Sequence, residues 1–219
     1  VANLAEVNKE LQELYDLEGS DKMQILKLLT RLRQLCLEPR LVYDNIDQPS
    51  SKLKACMELI KTMQENKQKV LLFSSFTSVL DLIAEECQKA GITYYMLTGS
   101  TNKEDRRELV SRFQKDDTTV FLISLKAGGT GLNLTSAEAV IHFDPWWNVS
   151  AQNQATDRAY RIGQKNNVQV FNLVMKDSVE EKIIELQKRK KELADMFVEN
   201  NSGGLSQMSK EDILSLFTM

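Results

Sequence analysis

The spacing of the hydrophobic positions changes near residue 69. Before it, apolar side chains recur every three or four residues, which predicts helices over 3–18, from about residue 21 to Pro39, and from Ser51 (as cap) to about Met63. After it, short continuous apolar runs alternate with helical patterns. These runs are KVLLF (69–73), ITYYML (92–97), TVFLIS (119–124), AVIHF (139–143) and VQVFNLV (168–174). The alternation predicts an α/β fold, with a parallel sheet of about five or more strands and helices on both faces.

Two further features divide the chain into three parts. Residues 43–51 are poor in apolar side chains and rich in turn formers, which indicates a linker. Ser178 and Glu181 are spaced as a capping box, so a long helix is expected from there to about Glu199. We therefore expect an N-terminal helical segment over 1–48, an α/β lobe over 49–176, and a C-terminal helix and tail over 177–219.

Ligands of open parallel sheets bind beyond the carboxyl ends of the strands. The loops expected there cover residues 74–76, 98–101, 126–131 and 144–148. In the third loop, Gly128, Gly129 and Gly131 would let backbone N–H groups approach an oxyanion, and Lys126 adds positive charge. A glycine-rich loop can also simply turn the chain. It is neither a Rossmann fingerprint, since Leu134 replaces the third glycine, nor a Walker A loop, which occurs nowhere in the sequence.

The loop over 98–101 has hydroxyl groups and a glycine at the expected start of a helix, a pattern that suits a phosphate. Lys103 and Arg107 follow closely. The loop over 144–148 contains Trp146 and Trp147. We expect one of these indoles to cover the core, whereas an exposed one would stack on a base or lie along a groove.

A helix is predicted over Val149–Ile162, between Asn148 as cap and Gly163. Gln154, Arg158 and Arg161 share one face of it, at i, i+4 and i+7. Two guanidiniums one turn apart suit phosphate, because each planar fork donates two hydrogen bonds and stays charged. The alternative is a solvated face whose arginines pair with carboxylates. An apolar stripe on another face contains Ala151, Ala155, Ala159 and Ile162.

Composition narrows the chemistry further. The 219 residues carry a net charge of −3, which argues against a protein that coats nucleic acid but allows a local basic track. With His142 as the one histidine and three separate cysteines, neither a zinc site nor a histidine-based triad is expected. We see no signal peptide and no apolar run that would span a bilayer, so an intracellular protein is expected.

Four segments occur in a specific order: KVLLFSSFTSVLDLI, LTGSTNKEDRRELVSRF, FLISLKAGGTGLNLTSAEAVIHFDPWWN and QATDRAYRIGQ. Together they closely resemble the second-lobe motifs of the Swi/Snf family of helicase-like DNA translocases, from about Thr30 to Leu193. The resemblance implies a C-terminal RecA-like lobe of a two-lobe motor, flanked by helices. It also implies that ATP and Mg²⁺ are held mainly by an N-terminal lobe, with no metal ligands on this chain.

The family's pattern assigns roles to the candidate residues. Arg158 and Arg161 correspond to its arginine-finger pair, and Gln154 would position the attacking water or the phosphate. The nucleotide-binding loop would contain Gly128, Gly129 and Gly131. The DNA track would contain Ser100, Thr101, Lys126, Trp146, Trp147, Lys103 and Arg107. The implied partners are double-stranded DNA, the N-terminal lobe and a DNA-bound protein, with no membrane, and the chain alone is expected not to hydrolyse ATP.

Other functions stay open at this stage. A degenerate lobe would act as a DNA-binding or protein-docking module, and a related motor would separate strands as a helicase. The sequence departs from the family at Tyr160, where histidine is common, at Asn148-Val149, where Asn-Pro is usual, and at Glu38, where Cys-x-His-Pro has histidine. In each case the protein is expected to be DNA-associated, in the bacterial nucleoid or cytoplasm or in the eukaryotic nucleus.

Overall fold

A computed structural model of the chain describes residues 22–128, 134–146, 149–157, 159 and 167–199. The chain divides into two compact units. One is Gln48–Val174, and the described parts of the other are residues 22–47 and 175–199. The predicted boundaries after residues 48 and 176 stay a prediction, and the helix predicted over 3–18 lies outside the described residues.

Helices and strands alternate through the larger unit. The helices of the chain are α1 (Lys22–Leu37), α2 (Ser51–Glu65), α3 (Thr77–Lys89), α4 (Lys103–Phe113), α5 (Leu125–Gly128), α6 (Val149–Thr156) and α7 (Val179–Glu199), with a 3-10 helix over Pro39–Leu41. The strands are β1 (Val70–Ser74), β2 (Tyr94–Leu97), β3 (Val120–Ser124), β4 (Ala139–His142) and β5 (Gln169–Asn172). Each predicted apolar run contains one strand, which confirms the α/β fold.

The five strands form one parallel sheet in the order β2-β3-β1-β4-β5. Val70 of β1 lies opposite Val120 of β3 on one side and Ala139 of β4 on the other. The chain leaves β1 towards β2 and leaves β4 towards β5, so the connections after these adjacent strands diverge. Right-handed crossovers then place α3 and α6 on opposite faces. The divergence opens a crevice at the carboxyl ends of β1 and β4, where such sheets bind ligands.

The central strands form the core of this unit. Every residue of β1, β3 and β4 is buried, whereas Val170 of the edge strand β5 is 40% exposed. Phe113 of α4 packs on Phe121 of β3 with ring centroids 5.1 Å apart. Burial on both faces explains the continuous apolar runs, and it makes the sheet a rigid platform for its loops.

In the second unit, the residue that departs from the family pattern has a local role. Glu38 is buried and accepts hydrogen bonds from the Arg40 guanidinium at 3.0 and 3.2 Å, while its side chain caps the 3-10 helix. The predicted capping box of α7 is shifted by one residue. Ser178 Oγ accepts from the N–H of Glu180 at 3.2 Å, and Glu181 Oε2 accepts from the N–H of Asp177 at 2.9 Å. No helix in the described part of the chain is long and apolar enough to cross a membrane.

The cap of α2 is Ser50, and the prediction of Ser51 was wrong by one residue. Ser50 has extended ψ and its Oγ accepts a hydrogen bond from the N–H of Leu53 at 3.0 Å, whereas Ser51 is an exposed first residue of the helix. Adjacent serines offer the same chemistry. Ser50 is the cap because the burial of Leu53 and Cys56 against the core fixes the residue at which the first helical turn begins.

We expect Ser50→Ala to lower the free energy of unfolding by about 1 kcal/mol, because one N–H of the first turn loses its acceptor. Ser51→Ala is the matched control and should change it by less than about 0.5 kcal/mol. Urea denaturation of both variants measures the difference. Equal losses in the two variants would contradict the cap assignment.

Candidate functional site

The carboxylate of Asp144 joins the carboxyl ends of β1 and β4. Its Oδ1 accepts hydrogen bonds from Ser74 Oγ at 2.7 Å and from the N–H of Ser75 at 3.0 Å, and its Oδ2 accepts from Ser75 Oγ. Asp144 is 1% exposed, so the buried charge is compensated by three donors. Sequence reasoning missed this role, since an acid after a strand is common and carries no specific signal.

The loop after β2 is held by its own hydroxyl groups. The hydroxyls of Thr98 and Ser100 lie 2.8 Å apart, and Thr101 Oγ1 accepts from the N–H of Thr98 at 3.1 Å. Asn102 caps α4 by accepting from the N–H groups of Glu104 and Asp105 at 3.0 and 2.8 Å. These two N–H groups are therefore occupied, and what this helix start offers an anion is the exposed Ser100 with the exposed cations of α4, Lys103 and Arg107.

Arg106 connects the loops after β2 and β3. Its Nη1 donates to the carbonyl oxygen of Ala127 at 3.2 Å, which brings the start of α4 to α5. Lys126 is exposed beside Ala127. Two predicted basic positions, Lys103 and Lys126, therefore belong to neighbouring segments. The role of Arg106 was missed, because nothing in the sequence separates it from its neighbour Arg107.

Trp146 is half-buried and packs against the core cluster around Phe121 and Val140. Its backbone N–H donates to Gln152 Oε1 at 3.4 Å. Trp146 thus covers the core, the role we expected for one of the two indoles. Trp147 lies outside the described residues.

Helix α6 lies on the core through small side chains. Ala155 is 2% exposed, and Ala159, three residues past the helix end, is fully buried. Gln152 Nε2 donates to Asn172 Oδ1 of β5 at 2.9 Å, which ties the helix to the end of a strand. The apolar stripe predicted for this helix is confirmed at these two alanines.

The helix ends earlier than predicted. Asp157 and Ala159 lie in turns, and the N–H of Ala159 donates to the carbonyl oxygen of Thr156 at 3.0 Å, three residues back. Thr156 Oγ1 donates to the carbonyl oxygen of Gln152 at 3.3 Å, a bond that bends and weakens helices. The cap Asn148, and Ile162 and Gly163 at the predicted far end, lie outside the described residues.

His142 connects the sheet to α6. Its Nε2 lies 2.9 Å from Thr156 Oγ1, and its ring stacks on Phe73 with centroids 5.6 Å apart. Thr156 Oγ1 also lies 3.3 Å from the carbonyl oxygen of Gln152, to which it can donate. Which of Nε2 and Oγ1 is the donor depends on the imidazole tautomer, and no described residue hydrogen-bonds to Nδ1. Burial lowers the pKa of His142 to about 4, against the opposing effect of the Asp144 charge.

The predicted site residues therefore fall into three groups. Ser100, Thr101, Lys103, Arg107, Lys126 and Trp146 lie on the loops or helix starts after the strands, at the carboxyl edge of the sheet. Gln154 belongs to α6 and Gly128 is the last residue of α5, but the surroundings of these two residues lie outside the described part of the structure. Gly129, Gly131, Trp147, Arg158 and Arg161 lie outside the described residues. Among the described residues, no three acidic, imidazole or thiol side chains cluster to hold a metal ion.

The family model described as the helicase conserved C-terminal domain matches residues 51–163, more than half of the 219 residues. The chain belongs to this family. It is the C-terminal lobe of a Swi/Snf-family helicase-like ATPase, as its relatives and structural neighbours also indicate.

Among curated proteins, the chain is 37% identical over 213 residues to an uncharacterized ATP-dependent helicase of Mycoplasma pneumoniae, covering 97% of this chain and 21% of that protein. It is 34% identical over 230 residues to the ISWI chromatin-remodeling complex ATPase ISW1 of Saccharomyces cerevisiae, covering 96% and 20%. The chain thus spans about a fifth of the length of these relatives.

Among solved structures, the lobe is similar to the Sulfolobus solfataricus SWI2/SNF2 ATPase core in complex with dsDNA. The TM-score is 0.74 at 30% identity, and the match covers 97% of this chain and 46% of that chain. The RecA-like α/β fold predicted from the sequence is confirmed by this similarity together with the parallel sheet.

The buried neutral imidazole predicts a pH dependence of stability. In the unfolded chain the imidazole of His142 takes up a proton below about pH 6.5. In the folded protein it stays neutral down to about pH 4. The free energy of unfolding should therefore fall as the pH drops, by about 2 kcal/mol between pH 7 and pH 5. His142 is the one histidine in the sequence, so few other side chains titrate in this range.

Urea denaturation at pH 7 and pH 5 checks this dependence. The variant His142→Gln keeps an N–H donor but has no titrating ring, so its stability should change much less between the two pH values. The comparison uses only the change with pH, which cancels any constant cost of the substitution. An equal loss of unfolding free energy between pH 7 and pH 5 in the wild type and in His142→Gln would contradict the assignment of this pH dependence to His142.

Proposed function

We propose that the chain is the second motor lobe of an ATP-dependent translocase on double-stranded DNA, of the Swi/Snf remodelling type. It supplies the arginine fingers and part of the DNA track, while an N-terminal RecA-like lobe of the same protein holds most of the ATP and Mg²⁺. The observation that carries the proposal is the gathering of the loops after β1–β4 at one edge of the sheet, where α6 leads to Arg158 and Arg161. The protein would act wherever its cell keeps DNA, the nucleoid or the nucleus.

The catalytic part of the proposal depends on α6. This helix contacts the platform through the buried Ala155 and through Gln152, and Arg158 follows its last residue, Thr156, by two positions. Arginines beyond a fixed helix end can be presented to a phosphate with little loss of entropy on binding. Arg158 and Arg161 would stabilise the negative charge that develops on the transferred phosphoryl group, and Gln154 would orient the attacking water.

The DNA part depends on exposed cations and hydroxyls at the same edge. Ser100, Lys103, Arg107 and Lys126 are exposed, and Arg106 holds their two segments together. Such side chains contact the phosphate backbone without reading its sequence, so binding would be nonspecific and sensitive to salt. The dsDNA complex of the related Sulfolobus core supports a duplex as the track. Trp147 remains a candidate for this track. Trp146 is half-buried, so only part of its indole ring is accessible to DNA.

Coupling between the two parts would run through the segment after β3. Ala127 accepts the hydrogen bond of Arg106 and directly precedes Gly128, Gly129 and the rest of the glycine-rich loop. The DNA-side helix α4 therefore touches the start of the loop that we assign to the nucleotide. A shift of α4 on DNA would move this loop without any long-range pathway.

The first test is DNA-stimulated ATP hydrolysis by the intact protein with both lobes. We expect Arg161→Ala to lower kcat by about 10³-fold or more, because the developing phosphate charge loses its partner. Arg112→Ala is the matched control and should keep near-normal turnover. Arg112 is an exposed arginine in the last turn of α4, where it lies against Glu108 of the same helix and Tyr95 of β2. Thermal melting of both variants excludes misfolding.

Near-normal turnover of Arg161→Ala would reject the arginine-finger role and would favour a DNA-binding or protein-docking module. Hydrolysis by the 219-residue chain alone, free of contaminants, would reject the half-enzyme proposal. A fork-unwinding assay on the intact protein separates translocation along a closed duplex from strand separation.

The DNA track is tested by charge reversal. We expect the double variant Lys103→Glu with Arg107→Glu to weaken DNA binding and to reduce the slope of log Kd against log salt by about 1 for each phosphate that is no longer neutralised. Lys54→Glu with Lys61→Glu reverses the same number of exposed positive charges on α2 and serves as the control. Equal losses from both pairs would mean that only net charge matters and that α4 is not part of the track.

A further inference from the structure

A buried hydrogen bond joins the middle of the sheet to the end of the helix that leads to the proposed arginine fingers. His142 is the last residue of β4 and is 2% exposed, and Thr156 is the last residue of α6. The 2.9 Å contact between His142 Nε2 and Thr156 Oγ1 spans 14 residues of chain. Arg158 lies two residues beyond Thr156 and Arg161 five.

The bond joins two side chains that are held in place. Thr156 Oγ1 lies 2.9 Å from His142 Nε2 and 3.3 Å from the carbonyl oxygen of Gln152 in its own helix. The imidazole is fixed by its stacking on Phe73 and by the strand that carries it, and burial keeps it neutral at physiological pH by lowering its pKa. At physiological pH the contact therefore joins a neutral, oriented imidazole to the hydroxyl of Thr156.

The other described contacts of this segment restrain a rotation of the helix less strongly. Ala155 of α6 and Ala159 beyond its end are small and apolar, and dispersion contacts have no preferred direction about the helix axis. The hydrogen bond of Gln152 to Asn172 lies on an exposed part of the helix, one turn before Thr156. Among the described side chains at the end of α6 that precedes the arginines, His142 and Thr156 make a directional contact between the sheet and the helix.

We propose that His142 and Thr156 are positioning residues, which hold α6 at the rotation that presents Arg158 and Arg161 to the nucleotide. This inference rests on the proposed function, because it assigns the pair a role through those arginines. Neither residue contacts the substrate.

The size of the effect follows from the geometry of a helix. The residues that follow Thr156 would be carried along when the last turn of α6 rotates. A group at roughly 6 Å from the helix axis moves about 1 Å for a rotation of about 10°. A misplacement of that size can cost about 10²-fold in rate while substrate affinity changes little. Removal of the bond should therefore lower kcat much more than it raises KM.

The test uses the intact protein and measures kcat and KM for ATP with saturating DNA. Thr156→Val keeps the shape of the side chain and removes the hydroxyl, and we expect kcat to fall about 10- to 100-fold with KM within about threefold. Thr156→Ser keeps the hydroxyl and should keep most of kcat. His142→Gln keeps an N–H donor and should be much more active than His142→Leu.

A matched control separates positioning from a general effect of removing a threonine hydroxyl. Thr62 Oγ1 donates to the carbonyl oxygen of Glu58 four residues back, as Thr156 does to Gln152, but on an exposed face of α2. Thr62→Val should leave kcat unchanged. Should Thr156→Val melt much earlier than the wild type, kcat of both proteins is measured at a lower temperature at which melting shows each to be folded.

The double variant Thr156→Val with Arg161→Ala distinguishes failure of this inference from failure of the proposed function. When the pair acts through the arginines, Thr156→Val lowers kcat little further in the Arg161→Ala background. The positioning role would be overturned if the loss of kcat in the double variant equalled the product of the two single losses. It would also be overturned if Thr156→Val kept near-normal kcat while Arg161→Ala was inactive. Near-normal kcat of Arg161→Ala would overturn the proposed function instead.

Discussion

The buried carboxylate of Asp144 is the constraint on which the carboxyl edge of the sheet depends. An ionised carboxylate can be buried only where donors surround it, and here Ser74 and Ser75 of the adjacent strand end supply three. The contact closes β1 onto β4 at the point where their connections diverge. It therefore fixes these two strand ends at the edge where such sheets bind their ligands.

Around this fixed point, each loop is held by a polar contact to its neighbour. Arg106 holds the start of α4 to α5, and His142 and Gln152 hold α6 to the sheet and to β5. Apolar burial supplies most of the stability of the platform, but it has little directional preference. Hydrogen bonds between named donors and acceptors provide the direction, which the proposed function requires for its arginines and cations.

Much of the lobe was predictable, because its signals are local or compositional. Continuous apolar runs identify strands buried on both faces, and all five contain a strand. The motifs with their arginines, glycines and tryptophans identify the family, and the family model and relatives confirm it. Errors arose where two residues offer the same chemistry, as at Ser50 and Ser51, or where a side chain competes with the helix, as Thr156 does at the end of α6.

The sequence by itself determined the order of the strands and helices, the α/β fold and the family, since these depend on periodicity and on residues close together in the chain. Only the tertiary structure decided which side chains meet. Asp144 lies 69 and 70 residues from its serine partners, and Arg106 lies 21 residues from the carbonyl it binds. Such pairs are created when the sheet places distant strand ends side by side, and no local pattern in the sequence records that placement.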